Sequence, residues 1–462
     1  MTSNTSSAQT SKRFLLAGYG ITNRAVATQL TKRGHQVLLG DDGLGSDAAR
    51  TQAQSHAVSL GLELLERPSE GEWAELVRAT EVLVPTPGLV ESHPVFAAAT
   101  RLDVPVISEL DLAQRWDERP NLAVTGTNGK TTVTNMAACM LEASDIATTV
   151  VGNTDTPLIE AIGNPVPQAF VVEASSFRLG HSCCYKPEVA AWLNFAPDHL
   201  DVHASLDTYR AAKAAIWRGA EANNTAIVNL DDPVVAAHAP QAARVITYGL
   251  HEGDFRLANG ALWAGTHKLV DCVELKRQMP HDLSNLLGAA ALAMTAGARP
   301  EAVRLAMLEW DGLAHRLWFV GEHCGVRYFD DSKATTPHAV CAAVRSLANP
   351  AQSAGTGKVV LIAGGRNKGL GLGSLVEIAD ALRAVVTIGE AAAEVGRVFA
   401  GRCPTTAAGS MLEAVQLSAN SACEGDAVLL SPGCASFDWY SSYVERGEHF
   451  CEVVRELMGG SP

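Results

Sequence analysis

The sequence predicts an α/β protein of three domains, each a mostly parallel sheet covered by helices. Short apolar strands alternate with Ala/Leu-rich helices along the whole chain, which is typical of parallel βαβ units. This alternation restarts twice, at "NLAVTGTNGKTT" and at "RYFDDSKATTP". The length of 462 residues agrees with three domains of roughly 150 residues each.

The two restarts place the domain boundaries near Asp111 and near Leu313. We predict a Rossmann-like domain at residues 1–111, a P-loop ATPase-like domain at 112–312 and a second Rossmann-like domain at 313–462. In each segment, Gly, Asp, Ser and Lys residues follow the apolar strands directly. Open α/β sheets bind ligands at the carboxyl ends of their strands, so the three segments are expected to contribute to one composite site.

Composition excludes some classes of function. The net charge is -14 and there is no Lys/Arg-rich run, which argues against a nucleic-acid partner. The polar start "MTSNTSSAQTSKR" lacks the apolar region of a secretory signal, and no apolar stretch is long enough to span a bilayer. The ten cysteines contain no C-x-x-C pair. We therefore expect reduced thiols in a cytoplasmic protein, acting as a monomer.

In the first segment, strands are predicted at "FLLAGYG", "QVLLGDD", "EVLVPTPG" and "PVIS". The loop after the first strand, "GYGITN", keeps two glycines of G-x-G-x-x-G but has Asn23 at the third position. Asp41 follows about 20 residues later, as in dinucleotide sites. This half-match favours a dinucleotide or nucleotide-diphosphate site, and a purely structural βα turn is the alternative.

The second segment opens with a strand, a Gly-rich loop and a helix in "NLAVTGTNGKTTVTNM". The pattern G-x-x-x-x-G-K-[ST] fails because Val124 stands where the first glycine belongs. Lys130 lies at a helix start, where its charge opposes the helix dipole, so an anion is expected beside it. Thr131 offers a hydroxyl for Mg²⁺. The loop residues expected to present N–H groups to phosphate are Gly126, Thr127, Asn128 and Gly129.

Further polar residues follow the next strands, at "QAFVVEASS", "VAAWLNF" and "NTAIVNLDD". Glu173 ends an apolar strand, where a P-loop domain places its metal-holding acid; a solvated side chain is the alternative. In "NFAPDHLDVH", His199 is the first choice as a metal ligand or substrate contact, unless the segment is only a capped turn. His281 and Asn285 share one helical face and suit adenine recognition or a cap.

Lys213 lies in "YRAAKAAIW", on an Ala-rich helix with few charges. A snorkelling lysine is the simplest interpretation. A protonated lysine would repel Mg²⁺, so Lys213 is not a metal ligand in its ordinary form.

The third segment predicts strands at "KVVLIAGGRNKG", "AVVTIGE" and "DAVLLSPGCASFD". Cationic and hydroxyl side chains follow its strands, and this pattern indicates an anionic small molecule. The cationic and hydroxyl residues are Lys333, Thr335, Thr336, Lys368, Ser431 and Ser436. Asp331 clusters with Lys333, and Arg316 lies at the hinge into this segment.

Taken in order, the motifs of the chain resemble the Mur ligase family of peptidoglycan synthesis, most closely its D-glutamate-adding branch. The family's phosphate loop lacks the first Walker A glycine, which accounts for Val124. The motifs that carry the resemblance are "TGTNGKTT", "VVEASSF", "NFAPDHLDVH", "YRAAK", "HDLSN", "HR", "DDSKATTP", "GGRNKG" and "LSPGCASFD".

The resemblance implies a reaction. ATP phosphorylates the alanyl carboxylate of UDP-N-acetylmuramoyl-L-alanine, and the amine of D-glutamate attacks the acyl phosphate to form an amide. Carboxylate and γ-phosphate repel each other, so two Mg²⁺ ions and lysine are expected to neutralise their charge. The acyl phosphate must be kept from water, which favours closure of a mobile third domain.

The resemblance also implies residue roles. The expected catalytic residues are Lys130, Glu173, His199 and Lys213. ATP is expected to contact Gly126, Thr127, Asn128, Gly129, Lys130, Thr131, Thr132, His281, Asn285, Arg316 and Asp331. The metal ligands are expected to be Thr131, Glu173, His199 and Lys213, the last as a carbamate. The UDP-substrate contacts are expected to be Ile21, Thr22, Gly88, Asn153 and His199. The glutamate pocket is expected to use Lys333, Thr335, Lys368, Ser436, Phe437 and Tyr443.

Two positions depart from the family pattern. Asp282 replaces an expected Asn near adenine, and Asp42–Gly43 replace expected hydroxyl and basic residues near uracil.

Three alternatives stay open at this point. Another amide ligase of the superfamily is one, such as a folylpolyglutamate synthase or the diamino-acid-adding ligase, whose Asp-Asn-Pro-Arg stretch is absent here. A nucleotide-binding regulator without catalysis is the second. A nicotinamide dehydrogenase is the third, and it is supported only by "GYGITN".

Overall fold

The fold was analysed in a computed structural model of the chain. Helices and mostly parallel strands alternate in it, which confirms the α/β prediction. The described residues divide into two compact units, one before and one after the Trp310–Asp311 junction. The structure describes residues 11–43, 47–154, 156–200, 202–348, 357–367 and 371–459.

The first unit begins with a parallel sheet in the order β3-β2-β1-β4. The predicted strand "PVIS" forms only one bridge, Val106 to Leu83, because the chain enters a helix capped by Ser108. The elements are β1 (Arg13–Ala17), α1 (Ile21–Lys32), β2 (Gln36–Asp41), α2 (Asp47–Ser59), β3 (Leu64–Glu66), α3 (Glu70–Arg78), β4 (Val82–Pro85), α4 (Pro94–Arg101) and α5 (Glu109–Trp116).

The same unit contains a larger sheet in the order β13-β12-β11-β10-β9-β8-β5-β7-β6. It is parallel up to β11, and its β11–β12–β13 end is an antiparallel meander that the sequence pattern did not predict. Its strands are β5 (Asn121–Thr125), β6 (Thr148–Gly152), β7 (Ala169–Glu173), β8 (Val189–Trp192), β9 (Thr225–Asn229), β10 (Arg244–Gly249), β11 (Phe255–Ala258), β12 (Ala261–Ala264) and β13 (His267–Asp271).

Helices cover both faces of this larger sheet. They are α6 (Lys130–Glu142), α7 (Leu158–Ala161), α8 (Ser176–Gly180), α9 (Leu206–Ala214), α10 (Pro233–Ala237), α11 (Pro280–Thr295) and α12 (Pro300–Glu309), with 3₁₀ turns at Ala215–Trp217 and Cys272–Glu274. The central strand β5 is buried on both faces: Leu122 and Val124 pack toward α6 and α11, and Ala123 packs toward the core shared with the first sheet.

The second unit is a sheet in the order β14-β15-β19-β16-β17-β18, parallel except for the edge strand β14. Its strands are β14 (Trp318–His323), β15 (Val326–Asp330), β16 (Val359–Gly364), β17 (Leu382–Ile388), β18 (Thr405–Ala407) and β19 (Ala427–Gly433). Its helices are α13 (Pro337–Leu347), α14 (Ala392–Phe399), α15 (Met411–Ser421) and α16 (Tyr443–Leu457), with a 3₁₀ segment at Leu372–Ala381.

Each predicted segment thus has its own sheet, but the first two sheets share one hydrophobic core. The predicted boundary at Asp111 falls inside α5, where Asp111 completes a capping box with Ser108. The division at residues 111 and 312 therefore stays a prediction. None of the helices in the described ranges combines the length and apolar character that a bilayer crossing requires. All ten cysteines are free thiols.

A buried ion pair joins the two sheets of the first unit. Glu109 of α5 pairs with Arg178 of α8, and both side chains are almost fully buried. Glu109 also accepts from the N–H of Ile159, and Arg178 donates to Thr22 Oγ1 at the start of α1 over 3.1 Å. Burial raises the pKa of Glu109, and Arg178 opposes that shift. The helices α1, α5, α7 and α8 are thus linked by two charged side chains.

Removing one partner of this pair should be costly. We expect Glu109→Ala to lower the free energy of unfolding of the first unit by about 3–5 kcal/mol, because Arg178 is left as a buried unpaired charge. The exposed pair Arg304–Glu274 is the matched control, and Glu274→Ala should cost less than about 1 kcal/mol. Urea unfolding followed by hydrogen exchange of peptides from this unit measures both. Equal effects of the two substitutions would contradict the prediction.

Candidate active site

The loop between β5 and α6 is shaped by its glycine at the helix start. Gly129 is the N-cap of α6 and has φ +81°, a left-handed conformation that favours glycine. A Cβ atom at this position would lie 2.5 Å from Asn285 Oδ1. Asn285 of α11, which the sequence predicts to contact ATP, therefore lies directly against this loop.

Two of the predicted phosphate donors are already engaged. The N–H of Thr127 donates to the backbone oxygen of Asn194 over 3.1 Å, and the N–H of Asn128 donates to Asn194 Oδ1 over 2.9 Å. These two hydrogen bonds brace the loop against the end of β8. That all four loop residues offer N–H groups to a phosphate stays a prediction. The N–H groups that remain for a phosphate are those at the start of α6.

Two lysines converge on one carbonyl of this loop. Lys130 Nζ donates to the backbone oxygens of Gly126 (2.8 Å) and Thr127 (3.0 Å), and Lys213 Nζ donates to the same Gly126 oxygen over 2.7 Å. Lys213 is 1% exposed, so the snorkelling interpretation is wrong. Burial, followed by the charge of Lys130, holds the pKa of Lys213 well below its ordinary value. The arrangement favours a neutral Lys213 amine and an anion near Lys130.

Glu173 ends β7 beside this loop. Its side chain is 3% exposed, so it is not a solvated strand end. Oε1 accepts from Asn153 Nδ2 over 3.1 Å, whereas Oε2 is buried with no hydrogen-bond partner in the described residues. The hydroxyls of Thr125 and Ser175 share that condition, and β5 and β7 are paired neighbours. A buried oxygen without a partner costs about 1–3 kcal/mol, so these strand ends fit a hard cation such as Mg²⁺.

Tyr209 of α9 links His199 to the loop. Its ring lies 5.9 Å from that of His199 and 4.6 Å from Lys213 Nζ, and its hydroxyl is 3.2 Å from Thr127 Oγ1. His199 has φ +55°, a conformation in which non-glycine residues often serve function. Tyr209 was not predicted from the sequence, although it opens the "YRAAK" motif. Thr131 lies in the first turn of α6, next to Lys130.

The predicted adenine side is built on α11. Burial lowers the pKa of His281, against the opposing charge of Asp282. Asp282 is engaged by Arg277, with Nε and Oδ1 3.0 Å apart. Asp282, Arg277 and Thr132 line one small cavity. Asp282, which replaces the Asn of the family pattern, is thus paired with the cation Arg277. This pairing changes the charge that an adenine ring would meet here.

The predicted UDP-substrate residues lie at the ends of strands and loops of the first unit. Ile21 is exposed at the start of α1, whereas Thr22 is buried and accepts from Arg178. Asn153 donates to Glu173, so it lies at the same strand ends as the predicted metal ligand. Gly88 has φ +85°, and a Cβ atom there would point toward Phe177. These contacts stay predictions.

The first loop, "GYGITN", is braced internally. Asn23 Nδ2 donates to the backbone oxygens of Ala17, Gly18 and Val84, which ties β1 to β4. Asp41 accepts from the N–H of Tyr19 over 2.5 Å. Both side chains brace the turn, and the nucleotide-diphosphate site predicted there stays a prediction. Asp42 is held by Trp73 Nε1 and His93 Nε2, at 3.0 and 2.6 Å.

In the second unit, Asp331 is buried at the end of β15. It accepts from Ser431 Oγ over 2.8 Å and from the N–H of Leu317 over 3.2 Å. Burial raises its pKa to about 7, although both hydrogen bonds and the charge of Arg316 oppose the shift. Lys333 Nζ lies 5.2 Å from the centre of the Tyr443 ring. The structure thus brings two of the predicted glutamate residues together.

The remaining predicted glutamate residues differ in burial. Ser436 is 2% exposed and Phe437 is 56% exposed, while Thr335 is half-buried at the end of the β15–α13 loop. Thr336 caps α13 by accepting from the N–H of Ala339. Lys368 lies outside the described residues.

Arg446, which was not predicted from the sequence, organises the loops of the second unit. Its guanidinium donates to Ser332 Oγ (2.9 Å), to the Ser332 backbone oxygen (2.8 Å) and to the Cys434 backbone oxygen (3.2 Å). Burial lowers its pKa to about 10. Its position gave a signal, because Arg446 falls on the apolar stripe of α16 with Phe450 and Val454.

The neighbouring Gly447 is a second residue of α16 whose identity reflects close packing. A Cβ atom at Gly447 would collide with the His315 ring and the Asp330 carboxylate, which are 2.6 Å apart. Helix α16 can approach these buried groups only because this residue has no side chain.

Comparisons with known proteins agree with this architecture. Residues 124–293 match the Mur ligase middle domain, and residues 315–434 match the Mur ligase, glutamate ligase domain. The UDP-N-acetylmuramoylalanine–D-glutamate ligase of Frankia casuarinae is 38% identical, covering 96% of this chain and 94% of the relative. That of Geotalea daltonii is 36% identical, covering 97% and 98%.

The chain belongs to the Mur ligase family.

Solved structures of Mur ligases share the fold at lower identity. MurF ligase from Thermotoga maritima, in complex with ADP, gives a TM-score of 0.59 at 18% identity, covering 93% of this chain and 96% of that one. MurC from the same organism gives 0.55 at 19%, covering 96% and 100%. The predicted family and fold class are therefore confirmed, as is the prediction of a ligase, and the dehydrogenase alternative loses its support.

The buried Asp331 should titrate unusually late. We expect its carboxyl ¹³C resonance, assigned by its loss in Asp331→Asn, to move near pH 7 and not near pH 4. Because the pKa is raised in the folded state, this group lowers stability as the pH rises from about 4 to about 7. The same measurement on the urea-unfolded protein is the control. A shift of the Asp331 resonance in the ordinary acidic range would contradict the buried environment.

Proposed function

We propose that this protein is an ATP-dependent amide ligase that joins D-glutamate to UDP-N-acetylmuramoyl-L-alanine through an acyl phosphate. The names of its relatives supply the substrates. The family assignment favours this reaction over another amide ligase of the superfamily or a regulator without catalysis. The proposed partners are the three substrates alone, with the protein acting as a cytoplasmic monomer.

One observation carries the proposal. Two lysine amines point at the Gly126 carbonyl, and on the paired strands β5 and β7 the oxygen Glu173 Oε2 is buried without a partner in the described residues. Lysine charge on the loop after β5 and a partnerless carboxylate oxygen at the end of the neighbouring strand β7 suit a nucleotide phosphate with its cation. Within the described residues, the protein itself supplies no hydrogen-bond partner for Glu173 Oε2.

Lys130 and the start of α6 are proposed to hold the ATP phosphates. When the phosphates enter, Lys130 can exchange its two backbone carbonyl acceptors for phosphate oxygens, a stronger charge-assisted interaction. Thr127 and Asn128 keep the loop in place through Asn194. His281, Asn285 and Thr132 are assigned to the nucleotide from the first unit, and Arg316 and Asp331 from the second.

Magnesium, when bound, would neutralise charge between the substrate carboxylate and the γ-phosphate. Thr131 and Glu173 are proposed to hold one ion. His199 and carbamylated Lys213 are proposed to hold the second. The partnerless Glu173 Oε2 is the observation that fits this ligand set.

Carbamylation of Lys213 is favoured by its environment. A neutral amine attacks carbon dioxide at carbon, one C–N bond forms, one carbonyl bond becomes a carboxylate, and a proton leaves to solvent. Burial and the charge of Lys130 favour that neutral amine. Because the product is an anion, the carbamate attracts the charge of Lys130, which the neutral amine does not.

The amino-acid side is proposed to lie in the second unit. Lys333 carries a charge suited to a carboxylate of glutamate. Thr335, Ser436, Phe437, Tyr443 and Lys368 complete the proposed pocket. Arg446 is proposed to position it, because its three hydrogen bonds fix the loop that carries Lys333 to the loop that precedes Ser436. Ile21, Thr22, Gly88, Asn153 and His199 are assigned to the UDP-substrate.

The proposed reaction is tested by phosphate release. The full chain, with ATP, Mg²⁺ and UDP-N-acetylmuramoyl-L-alanine, should release phosphate with D-glutamate and much more slowly with L-glutamate or other amino acids. Lys130→Met should abolish release. A chain that binds ATP but releases no phosphate with D-glutamate would be a regulator, and the proposal would fail. Turnover with a different amino acid would indicate another ligase of the superfamily.

Carbamylation is tested by chemical rescue. Lys213→Ala should lose most activity, and short-chain carboxylates such as acetate or propionate should restore part of it by occupying the cavity left by the side chain. Lys130→Ala is the matched control, because the role proposed for Lys130 needs a cation that a carboxylate cannot replace. A folded Lys213→Ala protein that no carboxylate rescues would contradict the carbamate.

A further inference from the structure

Two adjacent cysteines lie outside the site described above. Cys183 and Cys184 follow α8, and both are exposed free thiols. Their sulfur atoms and a carboxylate oxygen of Asp111 all lie within 4.8 Å of one another. The sequence contains no other pair of neighbouring cysteines.

The turn that carries these thiols is fixed in place. The N–H groups of Cys183 and Cys184 donate to Asp111 Oδ1 over 3.2 and 2.8 Å, and Ser182 Oγ donates to the same oxygen over 2.9 Å. Arg218 Nη1 donates to the Ser182 backbone oxygen over 2.5 Å. The two sulfur atoms are therefore held on one turn before any ligand arrives, so little backbone freedom remains to be lost on binding.

Asp111 acts as the anchor of this turn. Its Oδ2 accepts from the N–H and the hydroxyl of Ser108, at 2.8 and 3.0 Å, while Oδ1 holds the cysteine turn. Both carboxylate oxygens are thus occupied by hydrogen bonds that cap α5 and fix residues 182–184. The ligand atoms left for binding are the two sulfurs.

Two competing chemistries are disfavoured at this pair. A disulfide would need Cα atoms about 4.4–6.8 Å apart, whereas neighbours across a trans peptide are about 3.8 Å apart. Partial burial and the Asp111 charge raise the pKa of the Cys183 thiol to about 12. Ions that bind only thiolates, and alkylating agents, are therefore poor partners near neutral pH.

We propose that Cys183 and Cys184 form a dithiol site for trivalent organoarsenicals, which are soft, three-coordinate, thiophilic compounds. An arsenic(III) oxide R–As=O condenses with the two S–H groups. Two As–S bonds form, the As=O bond breaks, and the oxygen leaves as water with both thiol protons. Arsenic stays trivalent and keeps its organic group as the third ligand. This dithiol site is independent of the amide-ligase reaction proposed above.

Phenylarsine oxide is the probe. The reduced full-length protein should retain one equivalent by intact mass after gel filtration in excess 2-mercaptoethanol, and 2,3-dimercaptopropanol should remove it. Cys183→Ser and Cys184→Ser should each lower the affinity at least about 100-fold, because the second As–S bond is no longer intramolecular. Iodoacetamide at neutral pH should modify Cys183 slowly.

Matched controls come from exposed cysteines that have no cysteine neighbour in the sequence. Cys324→Ser and Cys423→Ser should keep the full equivalent, because a single thiol forms one exchangeable As–S bond. Unchanged thermal unfolding and phosphate release in the Cys183 and Cys184 variants show that each is folded. The site is disproved if the wild-type protein retains no equivalent, or if either serine variant retains it as tightly as the wild type.

Discussion

The candidate site of the first unit depends on one electrostatic constraint. Two lysine side chains share the Gly126 carbonyl, and a carboxylate oxygen of Glu173 is buried without a partner in the described part of the chain. Neither condition is stable by itself in a low-dielectric site. The surrounding elements tolerate it because Tyr209, Asn194 and Asn285 hold the loop from three sides. Polar groups fixed in place before binding are what a site for a phosphate and its metal cation requires.

The second unit solves a related problem with a different residue. Arg446 is a buried cation whose hydrogen-bond acceptors are a serine hydroxyl and backbone oxygens. It converts two separate strand-end loops into one surface, and Gly447 lets the helix come close enough to do so. The proposed glutamate residues are consequently positioned by a helix that contributes only Tyr443 to the pocket itself.

Much of this was predictable from sequence. Apolar runs marked the sheets, and the strand–loop–helix at residues 121–136 was evident because a glycine followed by a lysine at a helix start is typical of phosphate loops. Burial of Lys213 was not, because an Ala-rich helix around a lysine looks the same whether exposed or buried. The engagement of Thr127 and Asn128 by Asn194 depends on a contact about 66 residues distant in the chain. Meander β11–β13 was missed because its strands are only partly buried, unlike the fully buried strands β5 and β8 that apolar runs marked.

The Glu109–Arg178 pair has a consequence for how this chain can change over generations. Because removing either charge leaves the other buried and unpaired, a single substitution that removes one of the two charges lowers stability. A lineage that abandons the pair must pass through a destabilised ancestor or change both codons together. Thr22 accepts a hydrogen bond from Arg178, so drift at one of the proposed substrate contacts is constrained by this buried ion pair.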